Sequence, residues 1–258
     1  MTTTSPAPRI ALITGGGRGL GRATALALAA AGVDPIVTYV QGADRADEVV
    51  AEARALGRRA AALRLDAADT GSFAAFADAL RATLRDEFDG AAAVDVLVNN
   101  AGTAHYGAFA DTTEEQFDAV FAVHVKGVFF LTQALLPLLA DGGQIVTLGS
   151  GLTRLTMPGS GTYAAAKGAI DVLTRYLALE LAGRGITANV VAPGAVPTDF
   201  GDGHLREDPA LQELVVGQTA LGRLATADDI GAAIAGLVTA SGRWITGQRI
   251  EASGGLRL

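Results

Sequence analysis

The sequence predicts one α/β domain, built on a doubly wound parallel sheet of seven strands with helices on both faces. Three observations predict it. Short β-rich runs that end in Gly, Asn or Asp alternate with longer Ala/Leu-rich runs, which is typical of right-handed β–α–β units. Most strand-like runs are almost continuously apolar, as expected for parallel strands buried on both faces. No repeat or low-complexity linker divides the 258 residues, so we predict a single domain over residues 1–258.

The elements follow in a regular order. The strand-like runs are Ile10–Thr14, Pro35–Val40, Ala61–Asp66, Val94–Asn100, Gln144–Ser150, Ile186–Ala192 and Gln248–Ala252. The helical stretches between them cover about 19–31, 43–57, 70–88, 112–139, 161–182 and 226–240. Residues 200–220 interrupt the alternation after the sixth strand. Ligands of open α/β sheets bind beyond the carboxyl ends of the strands, so we expect this insertion to be a substrate lid.

The composition excludes several functional classes. Half of the residues are apolar, which is enough for a sizeable core. The net charge of −7 and the pI near 4.9 argue against a nucleic-acid or anionic-membrane partner. The chain has no cysteine, which excludes disulfides, thiolate catalysis and Cys-ligated metal. With only three histidines, His105, His124 and His204, we predict no metal site.

The sequence also predicts a cytoplasmic protein without a membrane segment. The N-terminal residues lack the charged and apolar regions of a signal peptide. The apolar stretch Gly127 to Ala140 contains Thr132, Gln133 and Pro137, and falls short of the roughly 18–20 apolar residues that span a bilayer.

A glycine-rich loop, Thr14 to Gly21 (TGGGRGLG), joins the first strand to an Ala-rich helix. Dinucleotide binding needs a tight turn, close backbone approach to a pyrophosphate and free N–H groups at a helix N-terminus, and side chains would obstruct all three. A flexible connection is the alternative, since the literal G-x-G-x-x-G motif does not occur here. The position directly after the first strand favours dinucleotide binding. The candidate contacts are Gly15, Gly17, Arg18, Gly19, Leu20 and Gly21.

The end of the second strand favours NADP(H) over NAD(H). An NAD site usually carries an acidic residue there that holds the ribose 2′-hydroxyl, whereas this chain reads Thr38-Tyr39-Val40-Gln41. A carboxylate would repel a 2′-phosphate. Arg18 and Arg45 supply positive charge, although Arg45 is equally consistent with a solvated charge on a helix face.

The candidate catalytic groups follow the fifth strand. Tyr163 and Lys167 are four residues apart and therefore lie on one helix face, and Ser150 ends the preceding strand. A tyrosine–lysine pair at this spacing is weak alone, because it is also typical of exposed helix surfaces. Its combination with the glycine loop and with Asn99-Asn100-Ala101-Gly102 favours a catalytic pair over an exposed surface pair.

Taken in order, these motifs resemble the short-chain dehydrogenase/reductase family over essentially the whole chain. They are the TGxxxGxG loop, Asp66 after the third strand, NNAG after the fourth, Ser150 with Tyr163-x-x-x-Lys167, Pro193-Gly194 after the sixth, and ITGQ…GG at the end. The region TYVQGADRADEVV is most similar to the NADP-dependent 3-oxoacyl-thioester reductase branch. The resemblance implies a Rossmann-type fold, a ketoreductase activity and a homotetramer or homodimer, with helices 112–139 and 161–182 at one interface.

The resemblance also implies residue roles. Tyr163 would exchange a proton with the substrate oxygen, Ser150 would orient that oxygen, and Lys167 would hold the nicotinamide ribose and stabilise the phenolate, which lowers the pKa of the tyrosine. Further cofactor contacts would come from Tyr39, Asp66, Ala67, Asn100, Ala101, Gly102, Pro193, Gly194, Val196 and Thr198. Asn99 and Asn100 would in addition cap the end of the strand.

One position departs from the family. The usual asparagine in the helix after NNAG, which helps to hold a proton-relay water, is His124 here. An imidazole ring can hold that water or pass the proton itself, so we count His124 among the catalytic candidates. A core histidine bonded to a backbone carbonyl is the alternative.

Three other functions stay open at this stage. A halohydrin-dehalogenase-like lyase is disfavoured by the intact glycine loop and by Lys167, and a non-catalytic dinucleotide sensor by the retained Ser150, Tyr163 and Lys167. An NAD-dependent dehydrogenase of alcohols or sugars would bind NADH more tightly than NADPH. The sequence does not specify the substrate beyond a small carbonyl compound or alcohol, and the few basic residues of the pocket loops, Arg154 and Arg206, disfavour a highly anionic one.

Overall fold

A computed structural model describes residues 8–201, 203–239 and 242–258. Positions 1–7, 202, 240 and 241, which fall within the predicted domain, lid and last helix, lie outside the described residues. Seven strands form one parallel sheet in the order β3-β2-β1-β4-β5-β6-β7. They are β1 Ile10–Ile13, β2 Asp34–Tyr39, β3 Ala61–Arg64, β4 Val94–Asn99, β5 Leu139–Leu148, β6 Thr187–Pro193 and β7 Arg249–Ala252. The predicted doubly wound α/β fold is confirmed.

Nine α-helices connect and flank the strands in the described part of the chain. They are α1 Gly19–Ala30, α2 Ala43–Ala55, α3 Phe73–Glu87, α4 Glu114–Phe121, α5 Val128–Leu135, α6 Gly161–Glu180, α7 His204–Glu207, α8 Pro209–Gly217 and α9 Ala227–Thr239. Local sequence sets several boundaries: Thr113 and Gln116 form a capping box at α4, and Asp208 caps α8 ahead of Pro209.

The core has one layer on each face of the sheet. Buried side chains of α3 and α5, such as Leu80 and Leu131, pack on one face. Those of α1, α2 and α9, such as Leu28, Val49 and Ile234, pack on the other. The two layers bury both faces of the strands, which explains their continuous apolar sequence.

The predicted helix 112–139 is not regular. A π-helical segment, Ala122–Gly127, separates α4 from α5, and a 3₁₀ turn at Leu136–Leu138, which contains Pro137, ends the helical run. Strand β5 therefore begins at Leu139, five residues before the predicted start at Gln144. Gly127 lets the segment approach the end of β3, because a Cβ there would lie 2.0 Å from the Ala67 carbonyl oxygen.

The combined helical run Glu114–Leu138 also has the length and the apolarity of a membrane span: it has 25 residues, and an 18-residue window within it has a mean hydropathy of 1.7. The sequence expectation, which considered only Gly127 to Ala140, missed this. Its inner face packs against α3 and α6, and core helices of soluble proteins pass the same criteria, so the property is weak support for a membrane segment.

Candidate active site

The glycine loop folds into a tight turn between β1 and α1. Gly15 and Gly19 adopt φ values of 65° and 53°, which favour glycine. A Cβ on Gly21 would lie 2.2 Å from the Gly15 carbonyl oxygen, so the first turn of α1 packs directly on the loop. The loop therefore presents backbone rather than side chains.

Side chains from β1, β2 and β4 fix the loop in place. The Thr14 hydroxyl accepts hydrogen bonds from the backbone N–H groups of Asn100 and Ala101, each at 2.9 Å. The Asn100 side chain donates to the carbonyls of Thr14 and Gly15. The Gly15 N–H donates to the Thr38 hydroxyl at 3.2 Å. Asn100 thus holds the loop through its side chain and also lines the cleft, where a cofactor contact is predicted for it.

The residues present fit a dinucleotide. Arg18, at the N-terminal boundary of α1, makes no side-chain cap, and among the described residues no other side chain caps this helix. Its first N–H groups are therefore available to a pyrophosphate, and the absence of Cβ atoms leaves room for close approach.

A cleft of about 830 Å³ runs along the carboxyl ends of the strands. All but two of the predicted catalytic and cofactor residues line it. Those that do are Gly15, Gly17, Arg18, Gly19, Leu20, Gly21, Tyr39, Arg45, Asn100, Ala101, Gly102, His124, Ser150, Tyr163, Lys167, Pro193, Gly194, Val196 and Thr198. Asp66 and Ala67 do not line it. The Asp66 carboxylate accepts from the Ala68 N–H instead, and the Ala67 carbonyl faces Gly127.

One end of the cleft carries two arginine side chains. Arg18, whose side chain is 65% exposed, lies there with Tyr39, Gln41 and Arg45. Asp44, which the sequence analysis did not single out, also lines this end and lies in the first turn of α2, where a carboxylate interacts favourably with the helix dipole. Asp199 also lines the cleft and lies 3.9 Å from the Arg18 guanidinium, so the two arginines share this region with two carboxylates.

The predicted catalytic side chains converge at the other end. Ser150, Tyr163, Lys167 and His124 are all at most 9% exposed. The Ser150 side chain lies near the Tyr163 phenol and opposes the rise in its pKa. The Lys167 Nζ lies 5.6 Å from the centre of the Tyr163 ring and donates to the Leu148 carbonyl at 2.7 Å. Leu148, the last residue of β5, was not predicted as a site residue, because a backbone acceptor leaves no signal in the sequence.

Burial dominates the protonation of these groups. It lowers the pKa of Lys167 from 10.5 to about 7, with Asp171 opposing the shift. Burial also raises the pKa of Tyr163 well above its usual value, with Tyr106 adding to the shift and Ser150 opposing it. The expectation of a lowered tyrosine pKa is wrong for the protein as described, because desolvation dominates and Lys167, whose own pKa is lowered to about 7, is uncharged where the phenol titrates. Tyr163 is therefore a fully protonated phenol at neutral pH.

His124 lies in the π-helical segment with its ring edge-on to Tyr163, at a centroid distance of 5.3 Å. Its Nε2 is 2.6 Å from the Thr103 carbonyl oxygen, whereas Nδ1 is buried with no hydrogen-bond partner among the described residues. Burial, followed by the charge of Lys167, lowers the pKa of His124 to about 3, so the ring is neutral. Nε2 also lies 3.2 Å from the Thr103 backbone nitrogen, but its contact with the Thr103 carbonyl oxygen is shorter, which favours the tautomer with Nε2 as donor and Nδ1 as acceptor.

The predicted lid, residues 200–220, borders the cleft with apolar side chains. Phe200 packs on the Tyr163 ring at 5.6 Å between centroids, and α7 and α8 add Leu205, Leu211 and Val215. Tyr106, Leu155 and Met157 continue this wall from the loops after β4 and β5. The C-terminal Leu256 and Arg257, which sequence reasoning missed, complete it. Their position depends on where the chain passes after β7, which no motif reveals.

Comparisons with known proteins agree with this geometry. A family model described as enoyl-(acyl carrier protein) reductase matches residues 15–257. A 3-oxoacyl-[acyl-carrier-protein] reductase of Synechocystis sp. is 37% identical over 96% of both chains.

Two solved structures are also similar to this chain. The angucycline C-6 ketoreductase LanV with bound NADP has a TM-score of 0.90 and 36% identity, and the match covers 96% of this chain and 95% of LanV. The reductase LugOII, described as catalysing keto-reduction at C1 during lugdunomycin biosynthesis, has a TM-score of 0.91 and 37% identity over 98% of this chain and 99% of its own.

Proposed function

The chain belongs to the short-chain dehydrogenase/reductase family as an NADP-dependent enzyme, and from this premise we propose that it reduces the carbonyl of a bulky, predominantly apolar ketone, with Tyr163 as the proton donor. One observation carries the proposal. Ser150, Tyr163 and Lys167 converge in the same cleft as the glycine-rich loop, so a hydride donor and a proton donor would meet at one carbonyl group.

The cofactor would lie along the glycine loop with its 2′-phosphate near Arg18 and Arg45, and when bound it supplies the hydride. Ser150 hydrogen bonds the substrate oxygen and aims it at the phenol. Tyr163, which burial keeps protonated, donates its proton to the developing alkoxide. Lys167, held by the Leu148 carbonyl, faces the ring and stabilises the negative charge that remains on the phenolate.

His124 holds a water molecule in this scheme rather than passing the proton through its ring. Its Nε2–H is committed to the Thr103 carbonyl, and a ring with a pKa of about 3 does not take up a proton at neutral pH. The acceptor Nδ1 is buried, and the imidazole ring as a whole lies edge-on to Tyr163. A water bonded there replenishes the proton that Tyr163 gives up.

The substrate class follows from the wall opposite the catalytic groups. Leu155, Met157, Phe200, Leu211 and Val215 offer apolar surface to the part of the substrate beyond its carbonyl group. Arg206 is engaged by the carboxylates of Asp199 and Glu207, and Arg154 by Glu251, so these arginines are paired rather than poised for an anion. The names of the similar reductases LanV and LugOII favour polycyclic ketones among such substrates.

Tyr163→Phe tests the proposal, with Tyr176→Phe as matched control. Tyr176 lies on the same helix and is 59% exposed. The purified enzymes are mixed with NADPH and a panel of polycyclic ketones, acyl thioesters, quinones, imines and enones, and NADPH absorbance is followed. We expect Tyr163→Phe to lose most of its turnover, at least about a hundredfold, because only the acidic proton is removed. NADPH binding, measured by fluorescence titration, should be unchanged.

Other outcomes separate the alternatives. Full turnover in Tyr163→Phe would refute the proton-donor role. Reduction of enones but not ketones would favour the enoyl reductase activity named by the family model. Tighter binding of NADH than NADPH would indicate an NAD-dependent dehydrogenase, and cofactor binding without turnover of any compound would favour a dinucleotide sensor.

Three further expectations complete the proposal. Residues 200–220 act as a lid, as the contact between Phe200 and Tyr163 supports. The chain forms a homotetramer or homodimer through α4, α5 and α6, which expose apolar side chains such as Phe117, Phe129, Tyr176 and Leu179. Light scattering on the purified protein tests the oligomer. The enzyme acts in the cytoplasm, without nucleic-acid or membrane partners.

A further inference from the structure

Arg249, on the edge strand β7, contacts both elements that carry the proposed catalytic groups. Its Nη2 donates to the Ser150 carbonyl at 2.8 Å. Its Nε lies 3.1 Å from Oδ2 of Asp171, one helical turn beyond Lys167 on α6. The side chains of Arg249 and Asp171 are only 21% and 14% exposed, so solvent screens this ion pair weakly. The same guanidinium therefore touches the loop of Ser150 and the helix of Tyr163.

The guanidinium is itself held from the opposite side. Its Nη1 donates to Glu251 at 2.5 Å, and Glu251 also accepts from Arg154 at 3.0 Å. Arg154 in turn donates to the backbone carbonyls of Leu256 and Arg257. A planar guanidinium group that is bonded to several fixed partners is held in one orientation. A lysine ammonium group does not provide this constraint.

The Ser150 backbone needs such a fixed point. Ser150 begins a 3₁₀ turn, Gly151–Thr153, and its hydroxyl already accepts from the Leu152 N–H at 3.2 Å. The position of the hydroxyl toward Tyr163 therefore depends on how the whole turn sits against α6. In the described residues, Arg249 is a side chain from outside the turn that hydrogen bonds this carbonyl.

We propose that Arg249 is a positioning residue that fixes the Ser150 turn against α6, and so sets the geometry between Ser150 and Tyr163 during the reduction. This rests on the roles of Ser150 and Tyr163 in the proposed function. A small misplacement of reacting groups lowers the rate of the chemical step without changing the cleft that binds the cofactor. Arg249 lies outside the residues that line that cleft.

Single-turnover reduction tests the proposal. Excess enzyme with bound NADPH is mixed with a ketone that the wild type reduces, and loss of NADPH absorbance gives a rate constant for the chemistry and an amplitude for the active fraction. We expect Arg249→Met to lower the rate constant at least about tenfold, with NADPH affinity within twofold of wild type. Arg249→Lys keeps the charge but not the fork, and should recover only part of the rate.

Arg175→Met is the matched control. Arg175 is exposed on α6 and donates to the backbone carbonyl of Asp171, but it has no contact with Ser150. It should leave the rate constant unchanged. If Arg249→Met does not fold, the single-turnover rate constant of Arg249→Lys, compared with that of the wild type, tests the proposal instead.

A rate constant within twofold of wild type in the folded Arg249 variants overturns the proposal, even where the amplitude falls, because a lower amplitude reports only a smaller folded fraction. Tyr163→Phe is measured in the same series. If it turns over normally, the proposed function fails; if it is inactive while Arg249→Met reacts at the full rate, only the present inference fails.

Discussion

Lys167→Met should stabilise the protein while it removes activity. Burial lowers the pKa of Lys167 from 10.5 to about 7, and each pKa unit corresponds to about 1.4 kcal/mol. The charged side chain therefore costs the folded state on the order of 5 kcal/mol at or below pH 7. Losing the hydrogen bond to the Leu148 carbonyl offsets about 1.5–3 kcal/mol of this. We expect a net gain in the free energy of unfolding of roughly 2–3 kcal/mol at pH 6.5.

The pH dependence gives the sharper test. Between the folded pKa of about 7 and the unfolded pKa of 10.5, the unfolded chain binds a proton that the folded protein does not. The stability of the wild type then rises with pH relative to the variant, by about 1.4 kcal/mol per pH unit. Below pH 10 the phenol of Tyr163, whose pKa is raised, does not contribute.

Urea unfolding at equal protein concentration, at intervals between pH 6.5 and 9.5, measures this difference. The advantage of Lys167→Met should shrink by up to about 3 kcal/mol across the range. Lys126→Met is the control, because Lys126, the other lysine of the chain, is exposed and should give a constant difference. A difference for Lys167→Met that stays constant over the range would refute the assignment of a desolvated ammonium.

Three further predictions concern the cleft. Gly21→Ala should weaken NADPH binding at least about a hundredfold, because the new Cβ meets the Gly15 carbonyl oxygen. Gly236→Ala, which adds a Cβ in open space on α9, should leave NADPH binding unchanged. Fluorescence titration measures the affinity of both variants. The kcat/KM for ketone reduction should be highest below pH 7 and fall as pH rises, because Lys167 loses its charge above a pKa of about 7 while Tyr163 stays protonated. A pH profile that is flat from pH 6 to 9 would contradict this prediction. His124→Ala should lower kcat about tenfold and His124→Asn much less, because asparagine keeps an acceptor for the water; equal kcat in wild type and His124→Ala would exclude the water-holding role.

The fold and the convergence of Ser150, Tyr163 and Lys167 were predictable because each depends on short-range sequence. Apolar runs define buried parallel strands, and four-residue spacing on a helix places two side chains together wherever the helix goes. The glycine loop belongs to the same category, since its positive φ values and its contact with Gly21 need glycine at fixed offsets.

The parts that escaped prediction depend on long-range register or on backbone detail. The π-helical segment 122–127 has the same apolar pattern as a regular helix, so periodicity does not reveal it. Arg249 reads only as a strand residue until β7 is aligned with β6, where it pairs with Val190 beside the Ser150 turn. The direction of the pKa shift of Tyr163 required the packing of Phe200 on its ring and the electrostatic effect of Tyr106, and both residues come from distant parts of the chain.

Two unfavourable features of the protein lie at the catalytic end of the cleft. There Lys167 is desolvated and Nδ1 of His124 is buried with no partner within the described ranges. Both costs have one cause, the burial that also keeps Tyr163 protonated. A more solvated site would relieve Lys167, but it would also ease ionisation of the phenol and surround the developing alkoxide with water. Substitutions that stabilise the protein at these positions should therefore reduce turnover, whereas stabilising changes on the exposed face of α9 should not.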